Sequence, residues 1–158
     1  MSRFLALLCV SFVAGCGFHL QGAVTVPEEM ESTFIDPVDE YSQFYRELRV
    51  ALKMAGVELV DSAEEATAVL SILADETDQR VLSVSARNEP TEYEVYYSVA
   101  YSISSGEAVL LTPQDITLTN DYTYDTRKVL GKAREESVLR DALVDDLVRV
   151  VLKQISTL

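Results

Sequence analysis

The sequence predicts an α+β fold, a two-layer sandwich in which two helices pack on a four-stranded, largely antiparallel sheet in the order β-α-β-β-β-α. Two observations lead to this prediction. Apolar residues recur at helical spacing in one segment around residue 48 and in another at the C-terminal end. Between these segments apolar residues occupy every second position, which is the period of a strand with one buried face. Elements with one apolar face each are buried most simply when both helices cover the same side of the sheet.

The first half of the domain contains a strand and then a helix. Residues 24–26 and 30–35 are predicted to be pieces of the first strand, which Pro27 interrupts because proline cannot donate to a sheet. Residues 40–55 are predicted to be helical, and Gly56 stands where a helix-terminating glycine belongs. A short apolar piece, 57–60, follows. The apolar residues at helical spacing are Tyr41, Phe44, Tyr45, Leu48, Ala51, Leu52 and Ala55.

The second half is predicted to supply three strands and the last helix. A strand over 68–74 continues into 81–86, and residues 87–90 form a turn. The clearest strand covers 92–104, and a fourth covers 108–111 and 116–124, with Pro113 as a candidate break. The helix follows Asp125 and Thr126. The third strand's predicted buried face carries Tyr93, Val95, Tyr97, Val99, Tyr101 and Ile103, and the helix carries Val129, Ala133, Leu139, Ala142, Leu143, Leu147, Val150, Val151 and Ile155.

The N-terminus has the features of a bacterial lipoprotein signal. Arg3 gives a positive charge, residues 4–13 are apolar, and the segment ends in small residues before Cys16. An apolar core of about 7–15 residues is typical of a signal peptide and is too short to span a bilayer. Residues 1–15 are therefore predicted to be removed, leaving Cys16 to carry a diacylglycerol and an N-acyl chain. The alternative is an ordinary secretory signal cleaved near Ala14, which would not need a cysteine here.

Lipidation predicts where the mature chain resides. Several acyl chains anchor a protein durably, since each buried CH₂ contributes about 0.8 kcal/mol. Residues 16–22 are predicted to be the lipidated tether and 23–158 a single domain. Because Gly17 stands where an inner-membrane retention signal would carry Asp, we expect the outer membrane, with the domain on the periplasmic side.

Length and charge limit the function classes. After removal of residues 1–15 the chain has 143 residues, enough for one domain with a core. Removal takes away Arg3 and no acidic residue, so the formal net charge goes from −13 to −14. Such a surface disfavours nucleic acid as a partner, and any polyanion must meet a local basic cluster.

The chain has few groups suited to catalysis. Cys9 leaves with the signal and Cys16 is consumed by lipid, so the domain has no thiol for a disulfide, a nucleophile or a metal site. The single histidine, His19, lies three residues after the anchor and is expected to be a tether residue. Adjacent acidic pairs such as Glu64–Glu65 point apart and are expected to be solvated surface. We expect no enzyme activity, no metal and no cofactor apart from the covalent lipid.

Several short motifs follow one another in a definite order and spacing over about 140 residues. These are Cys16-Gly17-Phe18-His19-Leu20, Val26-Pro27, the helix from Tyr45 to Leu52 leading into Gly56–Val60, Arg87 followed by Glu92-Tyr93, and Val129-Leu130-Gly131-Lys132 with Glu135-Glu136. By their order and spacing the chain as a whole resembles the LptE family, the lipoprotein component of the lipopolysaccharide (LPS) assembly translocon in the Gram-negative outer membrane.

The resemblance implies a binding role. LptE-like proteins plug the lumen of a large β-barrel partner, LptD, assist its assembly and contact LPS. Arg87 and Lys132 match positions where the family carries basic residues proposed to bind LPS phosphates, and a planar guanidinium suits a phosphate group. Arg80 and Lys128 are candidates to join them, and Arg127 is a weaker one.

Alternatives to this interpretation remain at the level of sequence. The basic residues could pair with Glu89 or Glu135 instead, which we favour for Arg80 and Arg127. Tyrosines on the strand faces could form a partner surface or belong to the core. The competing function is a structural lipoprotein that scaffolds another outer-membrane or peptidoglycan-associated complex.

Overall fold

The computed structural model describes residues 25–124 and 129–158, and its description of side chains excludes 129–133. The predicted signal peptide, the predicted lipidation site Cys16, the predicted tether at 16–22, and Arg127 and Lys128 lie outside the described residues. No helix in the described ranges is long and apolar enough to cross a membrane.

Residues 25–124 and 129–158 form a mixed α+β fold with two α-helices and one five-stranded sheet. The strands are β1 (Ser32–Asp36), β2 (Glu58–Leu59), β3 (Ala68–Val84), β4 (Pro90–Ser105) and β5 (Ala108–Thr123), in the spatial order β2-β1-β3-β4-β5. The α+β class is confirmed. The predicted four-stranded, largely antiparallel sheet is wrong in detail, because β2 is a fifth strand and β1 is parallel to both β2 and β3.

The parallel part of the sheet follows from the chain path through the first helix, α1 (Gln43–Met54). The helix carries the chain back along the sheet, so β2 enters beside β1 in the same direction. Gly56 allows this path, since its φ of +92° is a conformation that residues with a Cβ rarely adopt. A two-residue strand is too short for alternation to reveal, which is why the sequence predicted only an apolar piece at 57–60.

The predicted first strand begins later than expected. Residues Glu28–Met30 form a turn of 3₁₀ helix, closed by the hydrogen bond from Met30 N to Pro27 O at 3.0 Å. Thr33 is buried, and its hydroxyl donates to the carbonyl of Met30 at 2.8 Å. Proline fixes φ near the helical value, so Pro27 starts a helical turn here and does not interrupt a strand.

Both predicted helices are present. Ser42 caps α1, because its hydroxyl accepts a hydrogen bond from Tyr45 N at 3.0 Å. Tyr41 therefore precedes the helix and is 83% exposed, contrary to the predicted buried face. The second helix, α2, covers Val129–Ile155. The two helices bury Phe44, Leu48, Leu52, Leu143, Val144, Leu147, Val148, Val151, Leu152 and Ile155.

The core lies between the helices and one face of the sheet. Ile35, Leu70 and Ile103 stand side by side across β1, β3 and β4, and all three are buried. The predicted alternation in β4 is confirmed at Val95, Tyr97, Val99, Tyr101 and Ile103, which are all buried. Tyr93, the first residue of the predicted face, is only half-buried. The expected break at Pro113 is absent. β5 continues through Pro113 with a shift of register, which an edge strand tolerates because its outer side needs no partner.

Within the described ranges, no helix covers the other face of β3, β4 and β5. Its β4 residues are Glu92, Glu94, Tyr96, Ser98, Ala100, Ser102 and Ser104, and β5 adds Asp115, Thr117, Thr119, Asp121 and Thr123 beside them. Hydroxyls pair across the strands, as in the 2.8 Å contact between Ser98 Oγ and Thr117 Oγ1. This uncovered face is polar and acidic, which is the pattern of a sheet with one buried face.

Candidate functional site

Arg87 is held at the tip of a long hairpin. The turn between β3 and β4 is closed by the hydrogen bond from Ser85 N to Glu89 O at 2.8 Å. The Ser85 hydroxyl accepts from Arg87 N at 3.2 Å and from Glu89 N at 3.3 Å. Asn88 adopts φ +61°, a conformation that asparagine tolerates better than most residues. The turn therefore holds the backbone of Arg87 in place while its side chain remains exposed.

The start of α2 lies at the same end of the sheet, which we call the hairpin end. β5 finishes beside the start of β4, where Tyr124 N donates to Thr91 O at 2.7 Å. The pKa of Tyr122 is raised by burial first and then by the charges of Glu136, Tyr93 and Glu135, and α2 contacts β5. Lys132 belongs to α2 one turn before Glu136, so its backbone is at the hairpin end too. The side chain of Lys132 lies outside the described residues.

Arg87 makes no ion pair within the described part of the chain, although carboxylates are close to it in sequence. Glu92 accepts a hydrogen bond from the Ser83 hydroxyl at 2.8 Å. Glu136 pairs with Arg140 at 2.7 Å. The predicted alternative for Arg87, pairing with Glu89, is not found among the described ion pairs.

Arg80 forms an ion pair with a carboxylate. Its guanidinium pairs with Glu94, which stands opposite it across β3 and β4. The expectation that Arg80 is an ion-pairing residue is therefore confirmed, although the partner is Glu94 and not Glu89. This leaves Arg87 as the available cation of the turn.

An aromatic cluster at the hairpin end was not predicted as a unit. Tyr93 stacks on Tyr122 with ring centroids 5.6 Å apart, and Tyr124 meets Tyr93 edge-on at 5.3 Å. Tyr122 also donates to the side chain of Gln79 at 2.8 Å. The signal available in the sequence was the pair Tyr122 and Tyr124 at strand spacing, but the register against Tyr93 is a tertiary property.

Polar groups under the helix layer tie the strands to each other and to α2. Tyr97 donates to a carboxylate oxygen of Asp75 at 2.7 Å, and Tyr101 donates to Gln154 of α2. Burial raises the pKa of Tyr101 to about 12, and burial together with the Asp75 hydrogen bond raises the pKa of Tyr97 further. Both phenols therefore stay protonated at ordinary pH and act as donors. Across residues 25–124 and 129–158 we find no cluster of three metal-binding side chains.

Comparison with known proteins assigns the family. The LptE family profile, described as lipopolysaccharide-assembly, matches residues 30–155. The chain belongs to the LptE family. It is 24% identical over 153 residues to the LPS-assembly lipoprotein LptE of Pectobacterium atrosepticum, covering 96% of this chain and 82% of that protein. The LPS-assembly lipoprotein LptE of Yersinia enterocolitica is 25% identical over 150 residues, covering 94% of this chain and 72% of that protein.

Solved structures share the fold of this LptE-family chain. The solution structure of an uncharacterized lipoprotein B from Nitrosomonas europaea has a TM-score of 0.75 and 27% identity, over 89% of this chain and 90% of that one. The rare lipoprotein B from Shewanella oneidensis has a TM-score of 0.70 and 25% identity, over 80% and 94% of the two chains.

Family membership has two direct consequences. The LptE family comprises non-enzymatic lipoproteins of LPS assembly, so this chain is not an enzyme. Proteins of the family are envelope lipoproteins of Gram-negative bacteria. The roles of Cys16, Arg87 and Lys132 stay predictions.

Proposed function

We propose that this protein is an outer-membrane lipoprotein that plugs and helps assemble an LptD-type β-barrel, and that it binds LPS during insertion into the outer leaflet. The observation that carries the proposal is the family match over residues 30–155, which includes all five described strands and both α-helices. Nucleic acid is not a partner in this proposal. The lipid on Cys16 attaches the chain to the membrane.

The polar surface of the sheet supports the plug role. The interior of a large transmembrane barrel is polar, whereas its outer band is apolar. A plug must therefore present polar side chains around most of its surface, and the uncovered face of β4 and β5 does so with hydroxyls and carboxylates. This face is the proposed contact with the lumen wall.

The hairpin end supports the LPS role. In a chain of net charge −13, an anionic glycolipid needs a local cation that is not already paired. Arg87 meets that requirement, and the backbone of Lys132 enters the same end of the sheet. In the proposal both side chains contact LPS phosphates, Arg87 through its planar fork and Lys132 as a point charge.

Purification of the tagged, full-length lipoprotein in mild detergent tests the plug role. We expect a single large β-barrel protein to co-purify in stoichiometric amount. Recovery of peptidoglycan-associated proteins instead, with no barrel, would favour the alternative of a structural envelope scaffold.

A charge-reversal experiment tests the LPS site. Arg87→Asp with Lys132→Asp is expected to weaken LPS binding by the purified lipoprotein tenfold or more, since a hydrogen bond to a charged group contributes about 1.5–3 kcal/mol. The matched control is Lys53→Asp with Lys153→Asp, which makes the same change of charge at exposed positions in the last turns of α1 and α2. Equal loss in both variants would show a general charge effect and contradict the site. Barrel co-purification should be normal in both.

A further inference from the structure

Three large apolar residues are exposed within four positions of the hairpin. Val81 is 47% exposed, Leu82 is 45% exposed and Val84 is 53% exposed. We call these three residues the tip strip. A lone exposed apolar residue is ordinary, but contiguous ones on a soluble surface mark a contact with something apolar.

The exposure follows from the geometry of β3. Val81 stands opposite Tyr93, on the face of the sheet that carries the helices. Register shifts on both sides of Ser83 break the alternation, so Leu82 and Val84 are exposed as well. β1 pairs with β3 only over Ala68–Ser71, and therefore does not cover the edge at the tip strip.

The helix layer leaves the strip open while core packing continues beside it. α2 contacts β4 and β5, and Tyr122 of β5 is only 8% exposed. Tyr93 pairs with Tyr122 and is half-buried, and Val81 pairs with Tyr93 and is exposed, so the side chains become more exposed from β5 to β3. Val81 thus lies at the outer margin of the apolar face, and Leu82 and Val84 follow it along β3 towards the turn.

The charges around the strip select the kind of apolar partner. Arg80 is neutralised by Glu94, and Glu92 is hydrogen-bonded to Ser83. Arg87, three residues beyond Val84, has no carboxylate partner in the described part of the chain. An apolar surface that ends at an unpaired guanidinium is complementary to an amphiphile with an anionic head and an acyl tail.

We propose that the tip strip holds an acyl chain of LPS while Arg87 holds the phosphate of the same molecule. This rests on the proposed LPS-binding function and adds the lipid portion as the part recognised at Val81, Leu82 and Val84. Burial of apolar surface is favourable, so contact of an acyl chain with these side chains adds affinity that a phosphate contact alone does not supply.

Photo-crosslinking in cells tests the proposal with the full chain. A photoreactive amino acid, p-benzoylphenylalanine, replaces Leu82 in the strip, Asn88 in the turn, or Met54 on α1, which is 84% exposed and serves as the control. We expect irradiation to give LPS adducts at residues 82 and 88 and not at 54. Mass spectrometry should place the bond at residue 82 on an acyl carbon.

The outcomes separate the strip from the phosphate site. An LPS adduct at 88 but not at 82 overturns the strip and leaves the proposed function standing, whereas no LPS adduct at either position contradicts both. A phospholipid or protein adduct at residue 82 also contradicts the proposal that the tip strip holds an acyl chain of LPS. As a second variant, Val81→Ser, Leu82→Ser and Val84→Ser together should reduce the adduct at residue 88 several-fold without reducing the amount of protein. An unchanged yield there contradicts the proposal.

Discussion

The phenol of Tyr97 on β4 donates a 2.7 Å hydrogen bond to a carboxylate oxygen of Asp75 on β3, beneath the helix layer. Tyr97 is 2% exposed, and the second oxygen of Asp75 is buried without a hydrogen-bond partner in the described part of the chain. A buried carboxylate that has a single donor depends strongly on that donor. The pair therefore links the stability of the sheet to one hydroxyl.

Removal of that hydroxyl should be costly. Tyr97→Phe is expected to lower the free energy of unfolding by about 1–3 kcal/mol, because it leaves Asp75 unsatisfied. The control is Tyr96→Phe on the uncovered face, which should cost less than about 0.5 kcal/mol. Urea denaturation measures the free energy of unfolding of both variants. The double variant Asp75→Ala with Tyr97→Phe should lose less free energy of unfolding than the sum of the two single variants. Equal effects of the two Tyr→Phe variants would contradict the assignment.

Alkaline pH should destabilise the fold through buried tyrosines. Burial raises the pKa of Tyr101 to about 12 and also raises the pKa of Tyr97. The unfolded chain releases these protons near pH 10, about the ordinary tyrosine value, while the folded chain keeps them. The stabilisation is therefore complete below pH 10 and is lost as the pH rises towards 12.

The size of this pH effect follows from proton linkage. In that window each tyrosine should lower the free energy of unfolding by about 1.4 kcal/mol for every unit by which the pH rises. Tyr101→Phe should remove the contribution of one tyrosine. Urea denaturation between pH 9 and about 11.5 measures the slope. A free energy of unfolding that is independent of pH across this range would show that these tyrosines titrate alike in both states.

Truncation of the helix cores should cost several kcal/mol. Leu48 is fully buried in α1 and Leu143 is 3% exposed in α2. Leu48→Ala and Leu143→Ala are each expected to cost about 2–5 kcal/mol, because each removes apolar contacts and leaves a cavity. Val50→Ala, at a position 53% exposed on α1, is the control and should cost less than about 0.5 kcal/mol. Thermal melting and urea denaturation provide the values.

The predicted lipid on Cys16 should be visible in the mass of the mature protein. The mature protein should begin at Cys16 and carry an N-acyl chain and a diacylglycerol, which intact-mass spectrometry detects. Cys16→Ala should abolish the acylated species and leave the melting temperature of the folded chain unchanged, since the domain contains no other cysteine. An unmodified N-terminus at another residue would favour the ordinary secretory signal.

Local patterns in the sequence predicted the class of fold well. Alternation in β4 identified its buried face from Val95 to Ile103, and helical spacing identified Leu48 and Leu143 as core positions. These features are local, because a strand or helix that buries one face must repeat with its own period. Arg80 was also recognised as an ion-pairing residue from its surroundings, although its partner Glu94 was not.

Only the tertiary structure established how the elements meet. The parallel pairing of β1 with β2 and β3, the stack of Tyr93 on Tyr122 and the approach of α2 to the hairpin end join residues far apart in sequence. The same is true of the tip strip, whose residues look like ordinary strand residues until the extent of β1 and α2 is known. Periodicity indicates which side of a helix or strand is apolar. Whether that side is buried depends on which other element packs against it, and this is decided by the packing of the whole chain.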